Sequence, residues 1–324
     1  MKKLLLIFGL AGLALFTALL VKQGLGDLTR ALSVAGWGLL VVTAFHAVPL
    51  LADVISWYYL FPPGERPPLR HLYWMRWICQ SVNNLLPTAS VGGDIVRARL
   101  ASLWGVPLAH AAASVVVDLT SGILMQALFT LLGVALLVAY LGAHDFAAPI
   151  LLGITIATGC FLGFYLVQRQ GMFGLLRKII SALAGGAAWE AFFKNGESFD
   201  HAINATYARR RAFLGGCFWT LMSWFLGAGE VWLALWFLGH PVNLYEAIIL
   251  ESLGQAIKGA LFVVPGAIGF QEGGFIVIGK LFGIPPDIAL AMSLVKRFRE
   301  LALGIPGLLV WQWIEGKRLL AGRG

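Results

Sequence analysis

From Pro107 to Leu141 the chain runs apolar with one carboxylate, Asp118, inside it. A run of that length exceeds what a helix needs to cross the hydrocarbon core of a bilayer. Similar runs lie at Leu4–Val21, Val34–Leu60, Ala147–Val167 and Ala212–Leu238. Of the 324 residues, 59% are hydrophobic and only 12% charged, about half the charged share of a soluble domain. Too little polar surface remains to cover a globule in water. The expected fold is therefore all-α: a polytopic membrane protein forming a single integral domain over residues 1–324.

The net charge of +8 reads as basic loops holding helix ends on the cytoplasmic side. Nucleic acid is not an expected partner, because no soluble fold is available to carry it. Lys2 and Lys3 precede the first run, and Lys22-Gln23-Gly24 after it offers no small-x-small cleavage pattern, so a retained anchor is expected. Cys79, Cys160 and Cys217 form no C-x-x-C pair and sit in apolar stretches, as small core residues do. The six histidines are scattered without metal-ligand spacing, and no P-loop occurs; neither a metal nor a cofactor is expected.

Two segments depart from clean spanning helices. Trp77–Leu100 carries Asn83, Asn84, Pro87, Gly92, Gly93, Asp94, Arg97 and Arg99, after a Pro-rich loop at 61–68 with Arg66, Arg70 and Arg76 around it. Leu244–Val264 carries Glu246, Glu251 and Lys258, and is broken by Pro265-Gly266 before a short glycine-rich stretch with Gly269 and Glu272. A proline ends an apolar half-helix and the glycines let the chain turn. Irregular backbone is tolerated at membrane depth only where it lines protein or a wet cavity. Two re-entrant helical hairpins are expected, at about 77–107 and 246–285. The polar stretch 168–211 is expected to be interfacial, with solvated charges facing lipid headgroups.

A shift of 178 residues superposes the two segments without gaps. Pro87 meets Pro265, Asp94 meets Glu272, and Leu103-Trp104-Gly105-Val106-Pro107 meets Leu281-Phe282-Gly283-Ile284-Pro285. Asp118 meets Lys296, an ionisable position of opposite sign. Counting spans by the positive-inside rule puts both termini in the cytoplasm and the two units in opposite orientation. Inverted repeats with broken helices place a binding site near the bilayer midplane.

The candidate substrate-binding residues are Asn84, Asp94, Arg97, Asp118, Glu272, Lys296, Arg297 and Arg299. Asp118 and Lys296 are expected to approach each other near the midplane. They form either a salt bridge that locks two helices or part of a polar cavity for a charged headgroup. In the second case Arg297 or Arg299 would take phosphate oxygens. Asp94 and Glu272 either cap helix starts or act as a gate. Arg97, Arg99, Lys258 and Lys280 have weaker claims, since each can snorkel to an interface.

The pattern Asn84-x-x-Pro87, Gly93-Asp94-x-x-Arg97 and Gly105 resembles the transmembrane region of the lysylphosphatidylglycerol synthase family. Val264-Pro265-Gly266 with Gly269, Glu272, Gly283 and Lys296-Arg297 resembles it as well. The resemblance covers nearly the whole chain and implies lipid translocation between facing re-entrant elements in a bacterial inner membrane. The synthases carry a soluble transferase domain after the last helix. This chain ends at Gly324, so aminoacyl transfer is not expected. The stretch 81–87 resembles members associated with hopanoid synthesis. The implied partners are a membrane lipid with a charged headgroup and enzymes of lipid biosynthesis. Two alternatives stay open: an intramembrane enzyme acting on lipid phosphates, or a non-catalytic accessory subunit. Against the enzyme, no Ser sits in the Pro265-Gly266 turn and no second carboxylate lies near Glu272 in sequence.

Overall fold

The computed structural model describes residues 33–86, 92–142, 196–261 and 267–321. The first apolar run, the Ala147–Val167 run, the Pro87, Pro265 and Gly266 breaks and most of the 168–211 stretch lie outside the described residues. The described chain is helical throughout, with no strand. In chain order the helices are α1 (Gly38–Phe45), α2 (Ala47–Leu60), α3 (Leu69–Leu85), α4 (Gly92–Leu103), α5 (Leu108–Leu141), α6 (Gly196–Ala208), α7 (Arg210–Phe237), α8 (Leu244–Ala260), α9 (Phe270–Lys280) and α10 (Pro286–Ala321).

Three of these stretches are long and apolar enough to cross a membrane: Gly38–Leu60, Leu108–Leu141 and Arg210–Phe237. The first is interrupted at His46, between α1 and α2. Pro49 accounts for the break, because it has no N–H to give the Phe45 carbonyl and its ring crowds that carbonyl. α2 ends at Leu60, where the Arg209 guanidinium donates to the Leu60 and Phe61 carbonyls at 2.5 and 2.8 Å. Arg209 thus satisfies carbonyls that a helix C-terminus leaves without partners. It is a helix cap, not the solvated surface charge expected for the 168–211 stretch. In the same stretch α6 buries Phe199, Ala202, Ile203 and Tyr207 in the core around α5. That i, i+3, i+4 stripe packs this part against protein.

The helix before the first break begins at Leu69, earlier than the residue 77 expected as the start of that segment. Arg70 and Arg76 are therefore helical, not loop residues. Arg70 faces outward and Arg76 turns inward. α10 likewise runs on past Ile314 to Ala321, straight through Pro306.

Two units share one order of elements. α4 and α9 begin at Gly92 and Phe270, and α5 and α10 begin at Leu108 and Pro286; both offsets are 178. The turns between them also match. Gly105 (φ 96°) and Gly283 (φ 70°) adopt the left-handed conformation that glycine accepts without strain. Val106 N–H donates to Ala101 at 3.2 Å, and Ile284 N–H donates to Gly279 at 3.0 Å.

Packing between the units is reciprocal. α3 of the first unit packs on α10 of the second, and α8 of the second packs on α5 of the first. α1 packs on α10 as α7 packs on α5, and α2 packs on α7. Close contacts rest on small residues, as expected where apolar burial drives little association between helices in lipid. A side chain at Gly304 would meet Leu85, one at Gly307 would meet Ser81, and one at Gly133 would meet Ser252. Two cores form, one around Trp57, Phe61 and Leu72, the other around Leu235, Leu250 and Met292; each draws on both units, with Val42 in the second and Trp311 packed against the first. Trp37, Ile95, Leu214, Val277, Leu309 and Trp313 project outward, as a lipid-facing surface requires.

Candidate functional site

The first unit encloses an ion-pair network. Asp118, on α5, accepts from Arg76 of α3 and Arg97 of α4, each at 2.6 Å. Arg76 also lies 3.3 Å from Asp53 of α2, and Arg97 lies 2.9 Å from Asp94, one turn earlier on α4. Arg97 has no exposed surface and lies 5.0 Å from the Trp57 ring centre. This is cation–π geometry, and it excludes snorkelling for Arg97. Asn83 ties α3 to α4: its carbonyl accepts from Gly93 N–H at 2.8 Å and its amide donates to Asp94 at 3.3 Å. A side chain at Gly93 would overlap the Cys79 carbonyl. Gly93 is thus present for a close approach of α4 to α3 at the start of α4, and not as the turn expected of it.

The second unit holds a larger network. Glu272 accepts from the Gly269 N–H at 2.7 Å and pairs with Arg297 at 3.1 Å. It is both the helix-start partner and a member of the charged cluster. Arg297 also reaches Glu300 at 2.9 Å, and Glu300 pairs with Lys258 at 2.9 Å. Arg299 pairs with Glu230 of α7 and lies 3.8 Å from Glu300. Lys296 pairs with Glu251. Lys258 is therefore engaged in an ion pair rather than snorkelling, whereas Lys280 is exposed.

One ion pair of each network corresponds to the other with its signs reversed, whereas Asp94 and Glu272 correspond with the same sign. α3 and α8 are each 17 residues long, offset by 175. That offset places Glu251 at the position of Arg76, as the 178 offset places Lys296 at that of Asp118. The first unit carries Arg76–Asp118 where the second carries Glu251–Lys296. Contrary to the expectation from sequence, Asp118 and Lys296 do not pair with each other; Asp118 pairs with Arg76 and Arg97, and Lys296 with Glu251. Phe275 stands in the second unit where Arg97 stands in the first, and the Lys296 ammonium lies 5.5 Å from its ring centre.

Of the sequence-predicted residues, Asp94, Arg97 and Asp118 come together in one network, and Glu272, Arg297 and Arg299 in the other, with Lys296 beside it. Asn84 instead lines a narrow recess between α3 and α10 with room for about one water molecule. His46, Gln80, Arg299 and Glu300 line the same recess. His46 Nδ1 lies 2.6 Å from Glu230 and its Nε2 lies 3.1 Å from Gln80. His46, Gln80, Glu230 and Glu300 are absent from the sequence-derived set. A carboxylate in the middle of the Ala212–Leu238 run and a histidine three residues before a helix-kinking proline were the signals available.

Among the described residues no group of three His, Cys, Asp or Glu could hold a metal ion. Cys79 and Cys217 are buried free thiols. Each cation of the two networks faces a carboxylate, so an anionic ligand there would have to exchange with one. Glu300, remote in sequence, joins Glu272 through Arg297, so a second carboxylate does lie near Glu272 in space.

Stacked apolar helices with outward hydrophobic side chains and inward ion pairs define a multi-pass α-helical membrane protein. The chain belongs to the family described as the lysylphosphatidylglycerol synthase TM region, whose profile matches residues 5–307. It is similar to a UPF0104 membrane protein of Methanothermobacter thermautotrophicus, 24% identical over 296 residues that cover 85% of this chain and 82% of that one. A second match from the same organism, also a UPF0104 membrane protein, is 25% identical over 247 residues, 70% of each chain.

Proposed function

We propose that this protein moves a polar-headgroup lipid between the leaflets of a bacterial inner membrane. The headgroup would pass between the two units while its tails remain in the bilayer. In this reading the units are inverted, the α3–α4 and α8–α9 pairs are re-entrant hairpins, and both termini are cytoplasmic. The observation that carries it is the buried charge at the interface of the units. Arg299, Glu300 and His46 meet Gln80 and Asn84 in a recess that opens between α3 and α10. Ionisable groups within a membrane are costly and are retained where a polar species must pass. Reciprocal packing of two broken units suits rocking of one against the other. Enzymes of lipid biosynthesis are the expected source or consumer of the lipid.

Leaflet exchange in proteoliposomes tests this. Labelled anionic and neutral lipids are reconstituted with the protein, and label accessible from outside is followed in time. Protein-dependent exchange is expected, and its reduction in the folded Asp94→Asn, Glu272→Gln double variant. Undiminished exchange in that variant removes the gate role of the two carboxylates. No exchange of any lipid removes the translocation reading and favours an accessory role.

A further inference from the structure

We propose that α10 is a hinge that bends between Leu303 and Gly307, and that the hydrogen bond from Trp77 to the Leu303 carbonyl is the latch that keeps it closed. The inference rests on the translocation reading for its purpose and deepens it by naming the element that moves. The recess between α3 and α10 has room for about one water molecule. No headgroup passes there unless the two helices part.

The two halves of α10 are anchored in different cores. Ile288, Leu290, Met292 and Val295 belong to the core around Leu235 and Leu250, whereas Leu308, Trp311 and Ile314 pack against the core around Trp57 and Leu72. Pro306 lies between the two sets, and the helix continues through it. It has no N–H to give the Ala302 carbonyl, and its ring crowds that carbonyl. A helix that lacks this bond bends most easily there. Neighbouring helices satisfy backbone groups near a proline in a membrane helix. Here the Trp77 indole of α3 donates to the Leu303 carbonyl at 2.9 Å. Gly304 and Gly307 seat against Leu85 and Ser81 of α3, where a side chain would overlap them. A change in the angle of α10 breaks these close contacts. Trp77, Leu303 and Gly304 also line the recess, so bending there widens it.

Other helices that join the two cores are built differently. α5 places Val115 in one core and Leu137 against the other, and α7 places Phe213 against one and Leu235 in the other. Neither carries a proline. At the offset of 178, α5 has Gln126, Leu128 and Phe129 where α10 has Gly304, Pro306 and Gly307. The α1–α2 stretch crosses as well and is broken at Pro49, but α7 holds it on both sides of the break. Phe45 lies against Gly229, Phe237 against Gly38, and the Ser56 carbonyl against Gly216. α10 therefore bends, and α5 and α7 act as the pivot.

The test is pulsed electron spin resonance on the full-length protein in lipid nanodiscs. Spin labels are placed at Val277→Cys on α9 and Gln312→Cys on α10, with the native cysteines replaced by alanine. Both positions are exposed. The Glu272–Arg297 pair ties α9 to the N-terminal half of α10, so the distance between the labels reads the bend. A change of about 30° at a proline kink moves the label at Gln312 by about 5 Å. Two distances separated by that amount are expected in the wild type. Trp77→Phe keeps an aromatic ring and loses the N–H donor; it should shift the population toward the open form about two- to tenfold, the worth of one neutral hydrogen bond. Pro306→Ala restores the helical donor and should leave one distance. Labels at Leu108→Cys and Leu141→Cys, the ends of α5, should keep one distance of about 50 Å throughout. The comparison of wild type with Trp77→Phe does not depend on whether Pro306→Ala folds. A single α9–α10 distance in both overturns the hinge, and a second distance along α5 overturns the pivot. Two α9–α10 distances without leaflet exchange keep the hinge and remove translocation. Leaflet exchange with a single distance in wild type and Trp77→Phe does the reverse.

Discussion

Asp118→Asn tests whether the ion pairs hold the first unit together. The substitution keeps shape and removes one charge that serves two arginines. Taking one partner from a buried ion pair costs about 3–5 kcal/mol, because the remaining charge is left uncompensated. Here each guanidinium keeps a second carboxylate: Arg97 retains Asp94 at 2.9 Å and Arg76 retains Asp53 at 3.3 Å. The loss should therefore fall at the lower end, about 3 kcal/mol. Glu65→Gln is the contrast. Its His110 partner lies at 2.5 Å, but the two side chains are 33% and 35% exposed, so the change should cost under about 1 kcal/mol. Unfolding in mixed detergent micelles, followed by tryptophan fluorescence, reads both. Combining Asp118→Asn with Arg97→Met should cost less than the sum of the single changes, since the second removes a charge that the first left short of a partner. A loss below 1 kcal/mol for Asp118→Asn, or strict additivity in the double variant, would refute the network as a structural element.

Replacing Glu251 and Lys296 together by Gln and Met should be tolerated within about 1 kcal/mol, whereas Lys296→Met alone should cost about 3 kcal/mol, because only the single change leaves a buried charge unpaired; the same unfolding assay separates them. Gly93→Ala should destabilise by about 1–3 kcal/mol through overlap with the Cys79 carbonyl, more than Gly122→Ala, where a side chain meets nothing within 4 Å. Arg209→Met should cost about 1.5–3 kcal/mol by removing charged hydrogen bonds from the end of α2, seen as lower thermal stability with little recovery in Arg209→Lys.

The spacing of 178 residues was legible because it is written in residues with strong backbone demands. Gly105 and Gly283 occupy left-handed positions, and Pro107 and Pro285 sit at the starts of α5 and α10. Their physics is local, so the sequence carries it. The pairing of acids with bases was not legible, because it depends on how helices lie beside one another. α3 and α8 are offset by 175, not 178. Three residues are about 4.5 Å of rise and most of a turn, which brings Glu251 rather than Gly254 to the place of Arg76. Gapless superposition paired Asp118 with Lys296 and had no means of supplying Glu251. His46 reads as one of six scattered histidines until Glu230, Gln80 and Arg299 converge on it from three other helices.

Broken helices in a membrane invite the idea that their tips offer free backbone groups to a ligand. At the described starts of α4 and α9 the protein fills that role with its own side chains. Asn83 and Glu272 take the N–H groups of Gly93 and Gly269, and each cation of the second network faces a carboxylate. A ligand that enters therefore replaces a carboxylate, and does not occupy a vacancy. Exchange of one anion for another on an arginine avoids the step of baring a buried charge, which would cost about 3–5 kcal/mol. Glu300 is suited to such exchange, since it serves Lys258, Arg297 and Arg299; losing one of the three leaves it with two. Arg299 is shared by Glu230 and Glu300 in the same way. Shared partners of this kind would let a phosphate pass along Arg297 and Arg299 by successive partner changes without leaving either guanidinium unpaired. Glu300→Gln should therefore bind an anionic lipid more tightly, by freeing positive charge, and release it more slowly. Slower leaflet exchange with tighter binding is the expected result, and faster exchange would show that Glu300 obstructs the path instead of relaying along it.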